Sequence, residues 1–181
     1  MKIEFSLDAE DYLAHQLFVA SQSNRIRKKR IRNKILVPVM YVVFGITLFV
    51  AGNHLLSMLF IVFGGLWFTM YPKWETKKYT KHYSNYINEN YKEMVGRKAS
   101  LEINAEEIHI SDEGGEGTIL AKELTAINEI PRIIMLRFKG SQTIILPKNK
   151  ISNLDDLIKR LKELSAQLNI PYNSNPQWEW S

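Results

Sequence analysis

The sequence predicts an α+β membrane protein: a two-helix transmembrane hairpin joined to a small antiparallel β barrel or sandwich that a C-terminal helix caps. Three observations carry this fold class. Residues 35–72 contain no Lys, Arg, Asp or Glu. From residue 97 the chain turns to short runs with apolar residues at every second position, the period of half-buried strands. Residues 152–170 then return to helical spacing behind an N-terminal capping signal. A length of 181 residues suits one ordinary domain, or one small domain plus an anchor. The chain has no cysteine, which excludes a disulfide framework, a thiolate metal site and a cysteine nucleophile.

As one helix the uncharged stretch would reach about 57 Å, nearly twice a hydrocarbon core of about 30 Å. Gly52-Asn53-His54 breaks it, which leaves two helices, residues 35–51 (ILVPVMYVVFGITLFVA) and residues 55–71 (LLSMLFIVFGGLWFTMY). Pro38 is placed in the first turn of the first helix, where a missing N–H costs little. Gly45, Gly64 and Gly65 are small enough for the helices to approach closely, and they also offer an interface for a homo-oligomer. A soluble buried hairpin is the competing reading, but soluble helices of this length carry a polar face. A cleavable signal peptide does not fit an apolar run that begins so far into the chain.

The flanks set the orientation. Arg25, Arg27, Lys28, Lys29, Arg30, Arg32 and Lys34 precede the first helix, and Lys73, Lys77, Lys78 and Lys81 follow the second. The connecting turn is uncharged. By the positive-inside rule the expected location is the cell membrane, multi-pass, with both termini cytosolic. Trp67, Tyr71 and Trp74 fall where an interfacial aromatic belt belongs. These bases are expected to contact the anionic lipid of the inner leaflet, each worth about 1 kcal/mol near the surface. The net charge of +5 is concentrated beside the anchor, so no nucleic-acid partner is expected.

Five segments follow: 1–34, an N-terminal strand and basic juxtamembrane helix; 35–72, the hairpin; 73–96, a juxtamembrane helix; 97–170, the cytosolic β domain with its helix; and 171–181, a flexible tail. Residues 2–6 alternate around Ile3 and Phe5 as a strand does. Asp8 can cap the next helix with Asp11 three residues on, and Leu13, Leu17 and Ala20 form its apolar stripe. That helix is expected to run toward Lys34, with a possible kink at residues 21–24. Tyr79, Tyr83, Tyr86, Ile87, Tyr91 and Met94 share one face of a helix over residues 74–95 that Gly96 ends, a packing face more naturally than a ligand platform.

Leu101 with Ile103, Ile108 with Ile110, and residues 118–121, 125–130, 133–138 and 142–146 read as six strands, with a turn at residues 112–117. Ser152 and Asp155 form a capping box for a helix whose buried stripe is Leu154, Leu157, Ile158, Leu161, Leu164 and Leu168. Pro171 ends it. Six strands and a capping helix are one strand short of a pleckstrin-homology-like barrel, and residues 2–6 are a candidate for the seventh.

At this point the layout resembles the bacterial YcxB-like family of small membrane proteins. The opening KIEFSLDAEDYLAHQ, the two-helix hairpin, and the segment from Leu124 through Ile145-Leu146-Pro147-Lys148 carry the resemblance. It implies a cytosolic domain related to bacterial pleckstrin-homology-like folds, of a kind that serves in scaffolding and in self-protection against membrane-active peptides. It brings no site residues with it.

No sequence motif of a hydrolase, P-loop or dinucleotide-binding site occurs. Glu106 and His109 have a metal-pair spacing, but it requires a helix and they lie in strand sequence. Residues 114–117 (GGEG) are flanked by acids that repel a phosphate. Asp155 and Asp156 sit in a first helical turn, where they stabilise the dipole. His54, in the outer turn, reads as a polar turn residue. No catalytic residue, metal or cofactor is expected. The leading expectation is a non-enzymatic, membrane-anchored binding or scaffold module whose protein partner the sequence does not identify. An immunity protein against a membrane-active peptide, and an enzyme acting on lipid or peptide at the membrane surface, are the alternatives.

Overall fold

The computed structural model describes residues 1–180. Chain contacts divide it into two compact units: Met1–Gln16 with Tyr83–Glu179, and Leu17–His82 with Trp180.

The first unit holds the strands. β1 (Lys2–Ser6), β2 (Lys98–Ile103), β3 (Glu107–Asp112) and β4 (Gly115–Leu120) form one antiparallel sheet in that order. β5 (Leu124–Glu129), β6 (Ile133–Phe138) and β7 (Thr143–Pro147) form a second, with β8 (Tyr172–Ser174) on its far edge, in the order β7-β6-β5-β8. Period-two alternation builds the interior between them. Ile3, Phe5, Leu101, Ile103 and Ile108 of the first sheet and Ile127, Ile134, Leu136, Phe138, Ile144 and Leu146 of the second share one core. The helix α4 (Leu154–Gln167) inserts Leu157, Leu161 and Leu164 into that core. β6 is buried on five of its six positions, as a strand covered on both faces should be.

β1 supplies the seventh antiparallel strand, with Ile3 opposite Leu101 and Phe5 opposite Ala99. The barrel nevertheless does not close. β1 is hydrogen-bonded only to β2, and β7 only to β6. A short helical turn at Ala121–Glu123 carries the chain from one sheet to the other without a ladder between β4 and β5. Two facing sheets are the outcome, the sandwich form of the expectation.

Three smaller expectations change. The hairpin turn shrinks from residues 112–117 to Glu113 and Gly114, because the strands run on to Asp112 and resume at Gly115. Asp112 Oδ1 accepts the Gly114 N–H at 2.7 Å, which closes the turn locally. Helix α4 starts from Asn153, and no side chain caps it, so the Ser152–Asp155 box does not form. The segment after Pro171 is not wholly without structure: β8 pairs in parallel with β5, Tyr172 opposite Ile127. Ser181, the last residue of that expected tail, lies outside the described residues.

α1 (Ala9–Gln22) begins in this unit. The Asp8 N–H donates to Asp11 Oδ2 at 2.8 Å, the backward half of a capping box.

The second unit is helical. The expected kink falls at Ser23, whose Oγ accepts the Ile26 N–H at 3.4 Å and starts α2 (Asn24–Val50). α2 therefore carries the basic stretch and the first apolar stretch in one rod, and Pro38 lies inside it rather than in its first turn. α3 (His54–Asn90) is likewise one helix of 37 residues with Pro72 inside, where the sequence pattern indicated two helices. Its end comes at Asn90, short of Gly96. Between α2 and α3, Gly52 takes φ +84°, open to glycine at little cost.

The two rods run antiparallel. A Cβ on Gly45 would stand 3.1 Å from Ile61, and one on Gly64 3.2 Å from Tyr41, so the glycines set the close approach. Both helices are long and apolar enough to cross a membrane. Of their most apolar stretches only 6% and 17% is buried, whereas the core helix of a soluble protein is mostly buried.

Candidate functional site

Farther along the same helix pair, toward the basic end, apolar packing gives way to charge. Arg30 Nε donates to Glu75 Oε2 at 2.9 Å, and the Tyr71 hydroxyl donates to Glu75 Oε1 at 2.9 Å. Glu75 is buried, 5% exposed, so both its oxygens are matched where an unpaired carboxylate would be costly. The Trp67, Tyr71 and Trp74 rings cluster above it, with centroids 5.4, 5.9 and 6.3 Å apart. Lys34 Nζ stands 4.8 Å from the Phe68 ring and Lys78 Nζ 4.9 Å from the Trp74 ring. Arg30 also lies over the Trp180 ring at 4.6 Å, and Tyr79 packs on that ring at 5.4 Å.

These side chains enclose an open groove of about 440 Å³. Lys29, Asn33 and Val37 line it from α2, and Trp67, Tyr71, Trp74, Glu75, Lys78, Tyr79 and His82 from α3. Burial raises the Tyr79 hydroxyl above its ordinary pKa, and the Glu75 charge adds to that, against the opposing charge of Arg30. The Trp67 Nε1 is buried and has no hydrogen-bond partner. Chemically, the groove offers cations at one end, indole and phenol rings along its wall, and an aliphatic residue, Val37, at the other end.

The basic residues expected from sequence divide between groove and surface. Arg25, Arg27, Lys28 and Arg32 are exposed on α2, and Lys73, Lys77 and Lys81 on α3. Lys29 and Lys78, also exposed, line the groove, Arg30 is committed to Glu75, and Lys34 is half-buried. All three belt aromatics line the groove. Sequence reasoning missed Glu75, although the signal was present: it is the only acid between Asp11 and Glu89.

A second cavity, of about 270 Å³, lies in the strand unit where the edges of β1 and β7 leave the sandwich open. Phe5, Thr143 and Ile145 line it with Tyr12, His15, Tyr91, Met94, Arg97 and Asp112. Tyr12 and Tyr91 stack at 4.9 Å. Burial lowers the His15 pKa, and burial, then Tyr91 and Asp112, raises that of Tyr12. Both groups are held neutral, and no charged partner shifts His15. Of the expected packing face, Ile87 is buried and Tyr86 lies 5.9 Å from Tyr91, but Tyr86 and Met94 are exposed and the helix ends before Tyr91.

Acids at the start of α1 hold the connections that follow β5 and β7. Asp11, fully buried, pairs with Arg132 Nε at 2.7 Å, exposed Glu10 pairs with Arg132 Nη1 at 2.7 Å, and Asp8 pairs with Lys150 at 2.6 Å. Glu129 accepts from Lys148 at 2.7 Å, Tyr172 at 2.9 Å and Ser174 at 3.0 Å. Burial pushes the Glu129 carboxyl up, but these hydrogen bonds and the Lys148 charge outweigh it and hold the group below its ordinary pKa. His109 shares a hydrogen bond with Thr118 at 2.7 Å and lies 3.4 Å from Glu107, so its neighbour is Glu107 rather than Glu106. Among the described residues no three His, Asp or Glu side chains converge as a metal site would require.

Two long apolar helices joined to a two-sheet α+β unit define the class of protein. The comparison with known families is narrower: residues 103–163 match the family described as YcxB-like protein, and this segment is similar to it. The match covers about a third of the chain and runs from the end of β2 into α4. No curated protein and no solved structure matches the chain.

Proposed function

We propose that the chain is a non-enzymatic, membrane-anchored binding module. In this reading α2 and α3 cross the cell membrane as a hairpin, both termini lie in the cytosol, and the YcxB-like domain is offered to a protein partner at an anionic inner leaflet. The observation that carries it is the exposure of the apolar rods. Val39, Val43, Phe44, Ile46, Ile61, Phe63 and Phe68 each leave about half or more of their surface uncovered on helices with no charge in residues 35–72. A soluble protein rarely exposes a patch of that extent, and lipid is the covering that needs no further protein. The basic residues gather at one end of both rods, which supports the same-side placement of the termini.

Seven antiparallel strands in two sheets, with α4 packed into their core, support a pleckstrin-homology-like reading of the domain. The two shifted groups of the strand-unit cavity, Tyr12 and His15, give the enzyme alternative one observation, but burial alone accounts for His15, and catalytic pairs add a specific charge partner. Alkaline carbonate washing of membranes tests the anchor. The full chain stays in the pellet until detergent is added, and release by carbonate would overturn the proposal.

A further inference from the structure

We infer that the groove between α2 and α3 is a binding site for the headgroup and first acyl carbons of one anionic phospholipid. The inference rests on the membrane reading above and goes beyond it, from a diffuse basic surface to a built pocket. The groove changes chemistry along its length in the order an amphiphile does. Lys29 and Lys78 stand at its charged end, while Val37 and Trp67 stand at its apolar end. Trp67 and Lys78 are eleven residues apart on one helix, a rise of about 16 Å, enough for a glycerophosphate headgroup and the start of its chains.

The charge balance favours an anion. Glu75, the one acid lining the groove, already accepts from Arg30 and Tyr71, which leaves the two lysines uncompensated by any groove carboxylate. A soluble phosphate would satisfy the lysines but not the apolar end, so the occupant is a lipid. Basic pockets between membrane helices on the cytosolic side hold anionic headgroups by this chemistry.

The full-length protein in neutral detergent micelles is titrated with dioctanoyl phosphatidylglycerol, dioctanoyl phosphatidylcholine or inorganic phosphate, and bound lipid is counted by native mass spectrometry. One phosphatidylglycerol binds saturably, at least tenfold more tightly than phosphatidylcholine. Lys29→Gln with Lys78→Gln weakens it roughly thirtyfold, from about 1 kcal/mol per base. Lys28→Gln with Lys73→Gln removes the same charge outside the groove and costs less than about threefold. Trp67→Ser removes the ring that lines the apolar end and weakens binding severalfold. Equal affinity for the two lipids, equal loss in the two lysine pairs, or phosphate binding as tightly as the lipid would each overturn the inference. Carbonate extraction of the same wild-type protein is scored separately, because its failure would sink the anchor and not the micelle result.

Discussion

Arg132 meets two carboxylates at the same distance, and burial makes the two contacts unequal. Asp11 and Glu10 both approach the guanidinium at 2.7 Å, but the Asp11 side chain is 0% exposed and that of Glu10 73%. An exposed pair is screened by water and is worth about 0–1 kcal/mol. Removing one partner of a buried pair costs about 3–5 kcal/mol, because the other charge is stranded. Arg132 is itself 34% exposed and keeps Glu10, which brings the figure for Asp11→Ala down to about 2–3 kcal/mol. Losing the acceptor of the Asp8 N–H adds about 1 kcal/mol. At about 4 °C per kcal/mol for a unit of this size, Asp11→Ala lowers Tm by about 12–16 °C and Glu10→Ala by less than about 4 °C. Differential scanning calorimetry of the full chain in detergent reads both. Equal shifts in the two variants would refute the claim that burial, not distance, sets the strength of this tie.

Acid unfolding should begin in two stages. His15 has its pKa lowered in the folded state, so stability present above the ordinary histidine pKa of about 6.5 is lost as pH falls below it. Glu129, also lowered, adds a loss below about pH 4.5, and Glu129→Gln removes the second stage from the calorimetric Tm–pH profile. Tyr172→Phe deletes one hydrogen bond to Glu129 and speeds amide hydrogen exchange across residues 172–174, while Tm falls by only a few degrees. Gly64→Leu forces a side chain against Tyr41 and Pro38 and destabilises the helix pair by about 1–3 kcal/mol, whereas Gly65→Ala, with nothing within 4 Å, leaves thermal stability in detergent unchanged.

How far the sequence predicted the fold depended on whether neighbouring signals competed. Apolar alternation located β1, and Ile3 and Phe5 do face the core. Pro38 read as a helix start yet lies inside α2, and residues 55–71 and 74–95 read as two helices yet belong to one, α3, with Pro72 inside it. β8 has only three residues and no alternation; its place is fixed by side chains that reach Glu129, which no local pattern encodes. Barrel closure failed as an expectation for a similar reason, since strand count says nothing of whether the last edge finds the first.

At the candidate site the sequence supplied the lysines and the aromatic belt, because charge and ring composition are visible without coordinates. It did not supply their convergence. Which of eleven bases line the groove depends on the antiparallel register of α2 and α3, and the glycines at 45 and 64 set how closely they approach. The pairing of Arg30 with Glu75 belongs to the same register, and a lone acid in a basic region was its only trace in sequence.

The absence of cysteine makes one experiment direct: single cysteines at Asn53, in the turn between the rods, and at Lys122, exposed on the strand unit, probed with a membrane-impermeant maleimide. With the hairpin oriented as proposed, Asn53→Cys is labelled in intact cells and Lys122→Cys only after they are broken. Labelling of Lys122→Cys in intact cells, or protection of Asn53→Cys until rupture, would contradict it.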